Sequence, residues 1–179
     1  MGRDFDGSYA EYVLAPEHIV FPVQTQLEWK IFGALPEMVQ TTHGSLYQGL
    51  EIKKGQTLLI RGGTSSIGLC ALEMAMNAGL NVILTTRSEA KTEFLKKLGA
   101  SDVIVDQREI AKEMQKRYPE GVDHVLELIG AKHTARLSQD RQAWRNRLHD
   151  WHSRRQVGAR TLCTYGCDSH RRKTYGLCW

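Results

Sequence analysis

Thr57-Leu58-Leu59-Ile60-Arg61-Gly62-Gly63-Thr64-Ser65-Ser66-Ile67-Gly68 passes from an apolar run through a glycine-rich turn into a helix-forming stretch. The opening run is too short for a helix and dense in Leu and Ile, which predicts a strand buried on both faces. Residues 65–78 follow with helical character, and Gly79 closes them. A strand, a tight turn and a helix in that order begin a parallel α/β unit.

The alternation continues downstream. Residues 81–85 read as a second strand, and Ser88 is placed to cap a second helix that runs to 98 and closes at Gly99. Residues 102–105 form a third strand and 107–118 a third helix, while 121–130 hold a fourth strand, Val-Asp-His-Val-Leu-Glu-Leu-Ile. Upstream, Leu35, Met38, Val39, Leu46 and Leu50 fall at helical spacing over 35–50, with Pro36 in a first-turn position. Residues 8–15 look extended and Pro16 ends them. Right-handed crossovers turn such a series into a doubly wound sheet. The expected fold is therefore α/β, a partial Rossmann parallel sheet of about four strands. A six-stranded dinucleotide fold has two more.

The chain of 179 residues is the length of one ordinary domain, and its formal net charge of +4 hides a division at Gly130. Residues 1–130 carry 13 Lys and Arg against 17 Asp and Glu; residues 131–179 carry 11 against 3. Val, Ile, Leu, Met and Phe fall from 42 in the first part to 5 in the second, too few for a comparable core. No apolar run reaches the roughly 18–20 residues that span a bilayer. The acidic start, Met1 to Asp6, lacks the apolar stretch of a signal peptide. Cys70 stands alone in the first 130 residues, so no disulfide framework is expected there and a reducing, cytoplasmic setting is.

The glycine turn carries the chemistry. Against the template G-x-G-x-x-G, Gly63 and Gly68 match the outer glycines and Ser65 replaces the middle one. Glycines there permit close helix–strand approach, and the helix start offers free N–H groups to a pyrophosphate. Thr64, Ser65 and Ser66 are expected to add hydroxyl donors. Leu69 follows Gly68, so the Lys-Ser/Thr of a nucleoside-triphosphate loop is missing, and no Tyr-x-x-x-Lys pair of short-chain dehydrogenases occurs. The second strand ends Thr85-Thr86-Arg87-Ser88 with Lys91 a turn later, where an NAD-preferring site places a carboxylate. Arg87 and Lys91 instead suit a 2′-phosphate, although Glu89 lies nearby, and NADP(H) is the expected cofactor. His18, His43 and His124 are unclustered and show no metal-ligand spacing, so no metal is expected in the first 130 residues.

These residues resemble the medium-chain dehydrogenase/reductase superfamily, on its quinone oxidoreductase (zeta-crystallin-like) side. The likeness runs from Gly7 to Gly130 through Gly-Ser-Tyr-Ala-Glu-Tyr at 7–12, Gly-Ser-Leu-Tyr-Gln-Gly-Leu at 44–50, the turn at 55–68, Thr-Thr-Arg-Ser at 85–88, Leu-Gly-Ala at 98–100 and Gly-Val-Asp-His-Val-Leu-Glu at 121–127. The resemblance implies hydride transfer between NADPH and a quinone, enone or other activated carbonyl. It implies cofactor contacts from Gly63, Thr64, Ser65, Ser66, Ile67, Gly68, Thr86, Arg87 and Lys91, and from Leu128, Ile129 and Gly130. Thr41 or Thr42 would approach the nicotinamide. No catalytic residue is assigned, and the resemblance leaves a homodimer open for a complete relative.

The chain departs from that family at both ends. Residues 1–26 read as the remnant of a barrel-like, β-rich substrate domain, 27–130 as the truncated NADP-binding domain and 131–179 as a basic, irregular tail, disordered or frameshifted. Read one nucleotide later, the codons of Trp144-Arg145 and Trp151-His152 each yield glycine, and with compatible codons chosen residues 132–158 and 167–178 admit readings that continue the family pattern. A one-base frameshift near Ala131 is therefore expected. The alternatives are a non-catalytic dinucleotide-binding protein and RNA contact through the Arg-rich tail with Trp144, Trp151 and Tyr165. A metal cluster of Cys163, Cys167, His170 and Cys178 is a weaker one.

Overall fold

The computed structural model describes residues 9–107 and 109–129, together with the backbone of Arg160–Cys163. Helix α1 spans Trp29–Phe32 and α2 spans Leu35–His43; strand β1 spans Thr57–Arg61, α3 Ser66–Asn77, β2 Asn81–Thr86 and α4 Thr92–Lys97. Strand β3 follows at Asp102–Val105, then α5 at Ile110–Arg117, β4 at His124–Glu127 and β5 at Arg160–Cys163. The strands form one sheet in the order β3-β2-β1-β4-β5, and every pairing is parallel. The fifth strand adds to the four expected and falls inside the stretch read as an irregular tail. The expectations for the rest of 130–179, Gly130 included, lie outside the described residues.

Both faces of the sheet are covered, as the short apolar strands require. Side-chain alternation sends Leu58, Ile60, Val82, Leu84, Val103 and Leu126 to one face. There they meet Ala71, Leu72 and Ala75 of α3, Leu95 of α4, and Leu46 and Leu50. Leu59, Ile83, Ile104 and Val125 point to the other face, against Ile110 and Met114 of α5 and against Val122. Each such Leu or Ile removed from water is worth about 1.5–3 kcal/mol.

Three local readings are refined. Residues 35–50 are one helical stretch in two geometries, because Gly44–Gly49 widens into a π-helix in which the Leu50 N–H donates to Ser45 O five residues back, at 2.9 Å. Ser88 takes the N-cap position of a 3₁₀ turn, Glu89–Lys91, without a side-chain cap bond; its own N–H donates to Thr86 Oγ1 at 3.1 Å. Residues 9–15, read as extended, pair with no described strand. No helix among the described residues is long and apolar enough to cross a membrane.

The edge of the sheet at the strand N-termini is knit by polar bonds. Thr57 N–H donates to Asp123 Oδ2 at 2.8 Å, and His124 Nε2 lies 2.8 Å from Gln56 Oε1. At the end of α5, the Tyr118 hydroxyl donates to Asp102 Oδ2 at 2.9 Å, and Arg117 Nε donates to Glu113 Oε1 at 2.6 Å. Burial, and then the Asp102 bond, push the Tyr118 phenol up from 10.0 to about 12. The folded chain keeps that proton where the unfolded chain loses it. This contribution is complete below pH 10.0 and drains away as pH rises toward about 12. Tyr118→Phe should therefore flatten the fall in urea midpoint across that interval relative to the wild type.

Candidate functional site

The strand C-termini share the opposite edge. From β1 the chain steps outward to β2 and β3, then crosses to the far side of β1 to make β4. The connections leaving β1 and β4 diverge, which opens a crevice above β1. The glycine turn lies in that crevice.

The turn is fitted to its neighbours at close quarters. Gly62 N–H donates to Thr85 Oγ1 at 3.2 Å and Gly63 N–H to Thr85 O at 3.0 Å, which ties the turn to the end of β2. A Cβ on Gly63 would lie 2.9 Å from Leu84 Cβ, and one on Gly68 would lie 2.5 Å from Gly62 O. Glycine at 63 and 68 thus lets α3 start directly against β1 and β2, as the motif predicts.

Ser65 shapes the start of the helix. It is the N-cap of α3: its Oγ accepts the Gly68 N–H at 3.0 Å and its hydroxyl donates to Gly62 O at 2.8 Å. The donor and one of the two acceptor positions of this hydroxyl are used inside the turn, where Ser65 stands in place of a third glycine. Leu69 N–H is taken by Ser65 O. The amides of Ser66 and Ile67 remain in the first turn, where a helix supplies no partner of its own. The exposed hydroxyls of Thr64 and Ser66 stand beside them.

At the end of β2, Thr85 and Thr86 are buried while Arg87 is exposed, as is Lys91 one turn later. Neither cation forms an ion pair with another described residue. Leu128 and Ile129 form the other wall: a Cβ on Gly62 would lie 3.2 Å from Leu128 Cβ and 3.6 Å from Ile129 Cγ1. The expected residues 63–68, Thr86, Arg87, Lys91, Leu128 and Ile129 are thus gathered at one sheet edge. Thr42 is not among them. Its side chain is fully buried and its hydroxyl donates to Met38 O at 2.8 Å within α2. Thr41 is half-buried, and its carbonyl accepts the Ser45 hydroxyl.

Four residues of this edge were not read as site residues: Arg61, Thr85, Asp106 and Glu127. Arg61 and Glu127 are charged positions in otherwise apolar strands, and that contrast was the available signal. Their burial together is visible only once β1 and β4 are paired, Arg61 opposite Glu127.

The sequence profile of a zinc-binding dehydrogenase family matches residues 66–141. A quinone oxidoreductase of Pongo abelii is 28% identical over 125 residues, 69% of this chain and 38% of the relative. A zinc-type alcohol dehydrogenase-like protein of Schizosaccharomyces pombe is 30% identical over 137 residues, 74% of this chain and 39% of the relative. Among solved structures, a mycobacterial protein complexed with NADPH superposes with a TM-score of 0.55 at 27% identity, over 61% of this chain and 34% of that one. The chain spans about two fifths of the length of the curated relatives it matches. The family's description names zinc, but among the described residues no three His, Cys, Asp or Glu side chains gather to hold a metal ion. Fold, glycine turn and relatives agree: the chain belongs to the medium-chain dehydrogenase/reductase superfamily, on its quinone oxidoreductase-like side, and carries that family's nucleotide-binding domain.

Proposed function

We propose that the chain binds NADP(H) in the crevice above β1 and belongs to an oxidoreductase that passes hydride between NADPH and a quinone, enone or other activated carbonyl in a cytoplasmic setting. The observation that carries this reading is the close-packed glycine turn, which leaves the Ser66 and Ile67 amides at a helix start with Gly63 and Gly68 cleared of side chains. A pyrophosphate is held by such amides and by the favourable end of the helix dipole. Thr64 and Ser66 would add hydroxyl donors. Arg87 and Lys91 would meet the 2′-phosphate, for which Arg offers a planar, bidentate partner. Leu128 and Ile129 would form an apolar wall. When bound, the reduced nicotinamide supplies the hydride.

In this reading residues 27–130 form the cofactor-binding half and 1–26 the end of a barrel-like substrate lobe. The protein's part in the described residues is to bind and orient the dinucleotide; the groups that polarise the substrate belong to that lobe.

Titrating NADPH and NADH into the full chain, with binding followed by nicotinamide fluorescence, tests the reading. NADPH should bind at least about tenfold tighter than NADH, the margin of one charge-assisted contact. Equal affinities would remove the 2′-phosphate assignment, and no binding of either would overturn the proposal. A small quinone added to the NADPH complex then shows whether this chain turns over or only binds.

A further inference from the structure

The sheet edge that holds the glycine turn also buries a cluster of charges that would not touch a dinucleotide. Arg61 is 2% exposed and Glu127 is fully buried; they end β1 and β4 and lie opposite each other in register. Arg61 Nη1 donates to Glu127 Oε2 at 2.8 Å, and Nη2 donates to Asp106 Oδ2 at 2.6 Å just past β3. One guanidinium therefore joins the ends of three strands. The second oxygen of Glu127, Oε1, accepts the Ile129 N–H at 2.8 Å, while the Leu128 N–H donates to Arg61 O at 3.1 Å. Both amides following β4 are pinned, one to the backbone of Arg61 and one to the carboxylate that Arg61 holds.

We propose that Glu127, held by the Arg61 guanidinium that Asp106 also anchors, is a positioning residue that fixes the Leu128–Ile129 backbone as the wall of the dinucleotide crevice. The inference rests on the NADP(H) reading above. Buried ion pairs gain little net stability over apolar packing of the same volume, because desolvation offsets attraction. Their charge-assisted bonds are short and directional, and they hold geometry well. The pinned segment is also the one that abuts Gly62. The position of that segment therefore bears directly on the turn. A simple brace between strands would affect stability alone; a positioning residue also sets ligand affinity.

The test uses the full chain and three variants. Glu127→Gln keeps the shape and removes the charge. Glu127→Asp keeps the charge and is one methylene too short to reach both Arg61 and the Ile129 amide. Met114→Ala, in the core under α5, lowers stability by packing alone. Exchange of the Ile129 amide is measured without cofactor, relative to the amide of Leu126 in β4, alongside the Kd of NADPH and of NADH. Both Glu127 variants should raise the Ile129-to-Leu126 exchange ratio and weaken both dinucleotides by about tenfold. Met114→Ala should lower the urea midpoint and leave that ratio and both Kd values within about twofold.

Unchanged Kd values or an unchanged ratio in the Glu127 variants would overturn the proposal, as would an equal affinity loss in Met114→Ala. A wild-type chain that binds neither dinucleotide would defeat the NADP(H) reading itself, a different and separable result. Should Glu127→Asp fail to fold, Glu127→Gln carries the test.

Discussion

Arg87→Glu should weaken NADPH binding by about a hundredfold at low ionic strength and change NADH binding by less than about threefold. The only difference between the two ligands is a 2′-phosphate carrying nearly two negative charges. Arg87 is exposed at the end of β2, with Lys91 one turn on, and it forms no ion pair with another described residue that would have to break first. Reversing its sign removes an attraction and installs a repulsion. Two unit charges about 4 Å apart in water interact by about 1 kcal/mol, and here both the phosphate charge and the swing in side-chain charge are near two. Salt identifies the effect: the Debye length shrinks from about 10 Å at 0.1 M to about 3 Å at 1 M, so the wild-type preference for NADPH should shrink with it. Titrations of both dinucleotides at the two salt concentrations make the check. Equal losses for NADPH and NADH would reject Arg87 as the phosphate partner.

The second large effect is on the fold. Gly68→Ala should lower stability by about 3 kcal/mol or more, read as a fall in urea midpoint, and should abolish dinucleotide binding. The added Cβ would lie 2.5 Å from Gly62 O, 3.0 Å from Gly63 Cα and 3.1 Å from Gly63 C, all of them backbone. None can rotate away as a side chain would. Relief requires α3 to lift from β1, which opens the core at Ala71, Leu72 and Ala75 and breaks the Ser65 cap. For a domain with roughly 5–15 kcal/mol in total, the loss is large. Gly121→Ala is the control. A Cβ there meets nothing within 4 Å, so only the strain of φ +79° remains, about 1 kcal/mol. Comparable losses for the two variants would show that close approach is not what Gly68 provides.

Much of this arrangement is legible in the amino-acid sequence. The first strand was read over the residues that form it, Thr57–Arg61, and the third over Asp102–Val105. Short apolar runs between turn glycines leave little freedom, since only a sheet covered on both faces buries them. The glycine turn was legible for the same reason: a motif placed between a strand and a helix has one geometry. What stayed hidden depends on contacts between distant residues. The residue type of Ser65 admits a ligand donor, whereas its cap bond and its bond to Gly62 O follow from the geometry of the turn. The resemblance puts Thr41 or Thr42 near the nicotinamide, while the burial of Thr42 and its bond to Met38 O come from helix packing. Arg61 and Glu127 are 66 residues apart, and only the strand register shows that two charges in apolar strands are one buried pair. The π-widening at Gly44–Gly49 likewise leaves no mark on apolar spacing.

That separation also sets an order of assembly. β1 is the central strand of the five-stranded sheet, and its partner on one side, β2, is made soon after it. Its partner on the other side is Glu127's strand, 66 residues later, so at about 5–20 residues per second β1 leaves the ribosome several seconds before β4 does. Asp106, 45 residues after Arg61, is made before Glu127, so the pairing of the Arg61 guanidinium is complete only when β4 arrives. The glycine turn at the end of β1 gains its far wall only when β4 docks. The dinucleotide crevice is therefore complete only once β4 is in place, long after its glycine turn and β2 wall are made, and an occupied crevice reports that β4 has docked.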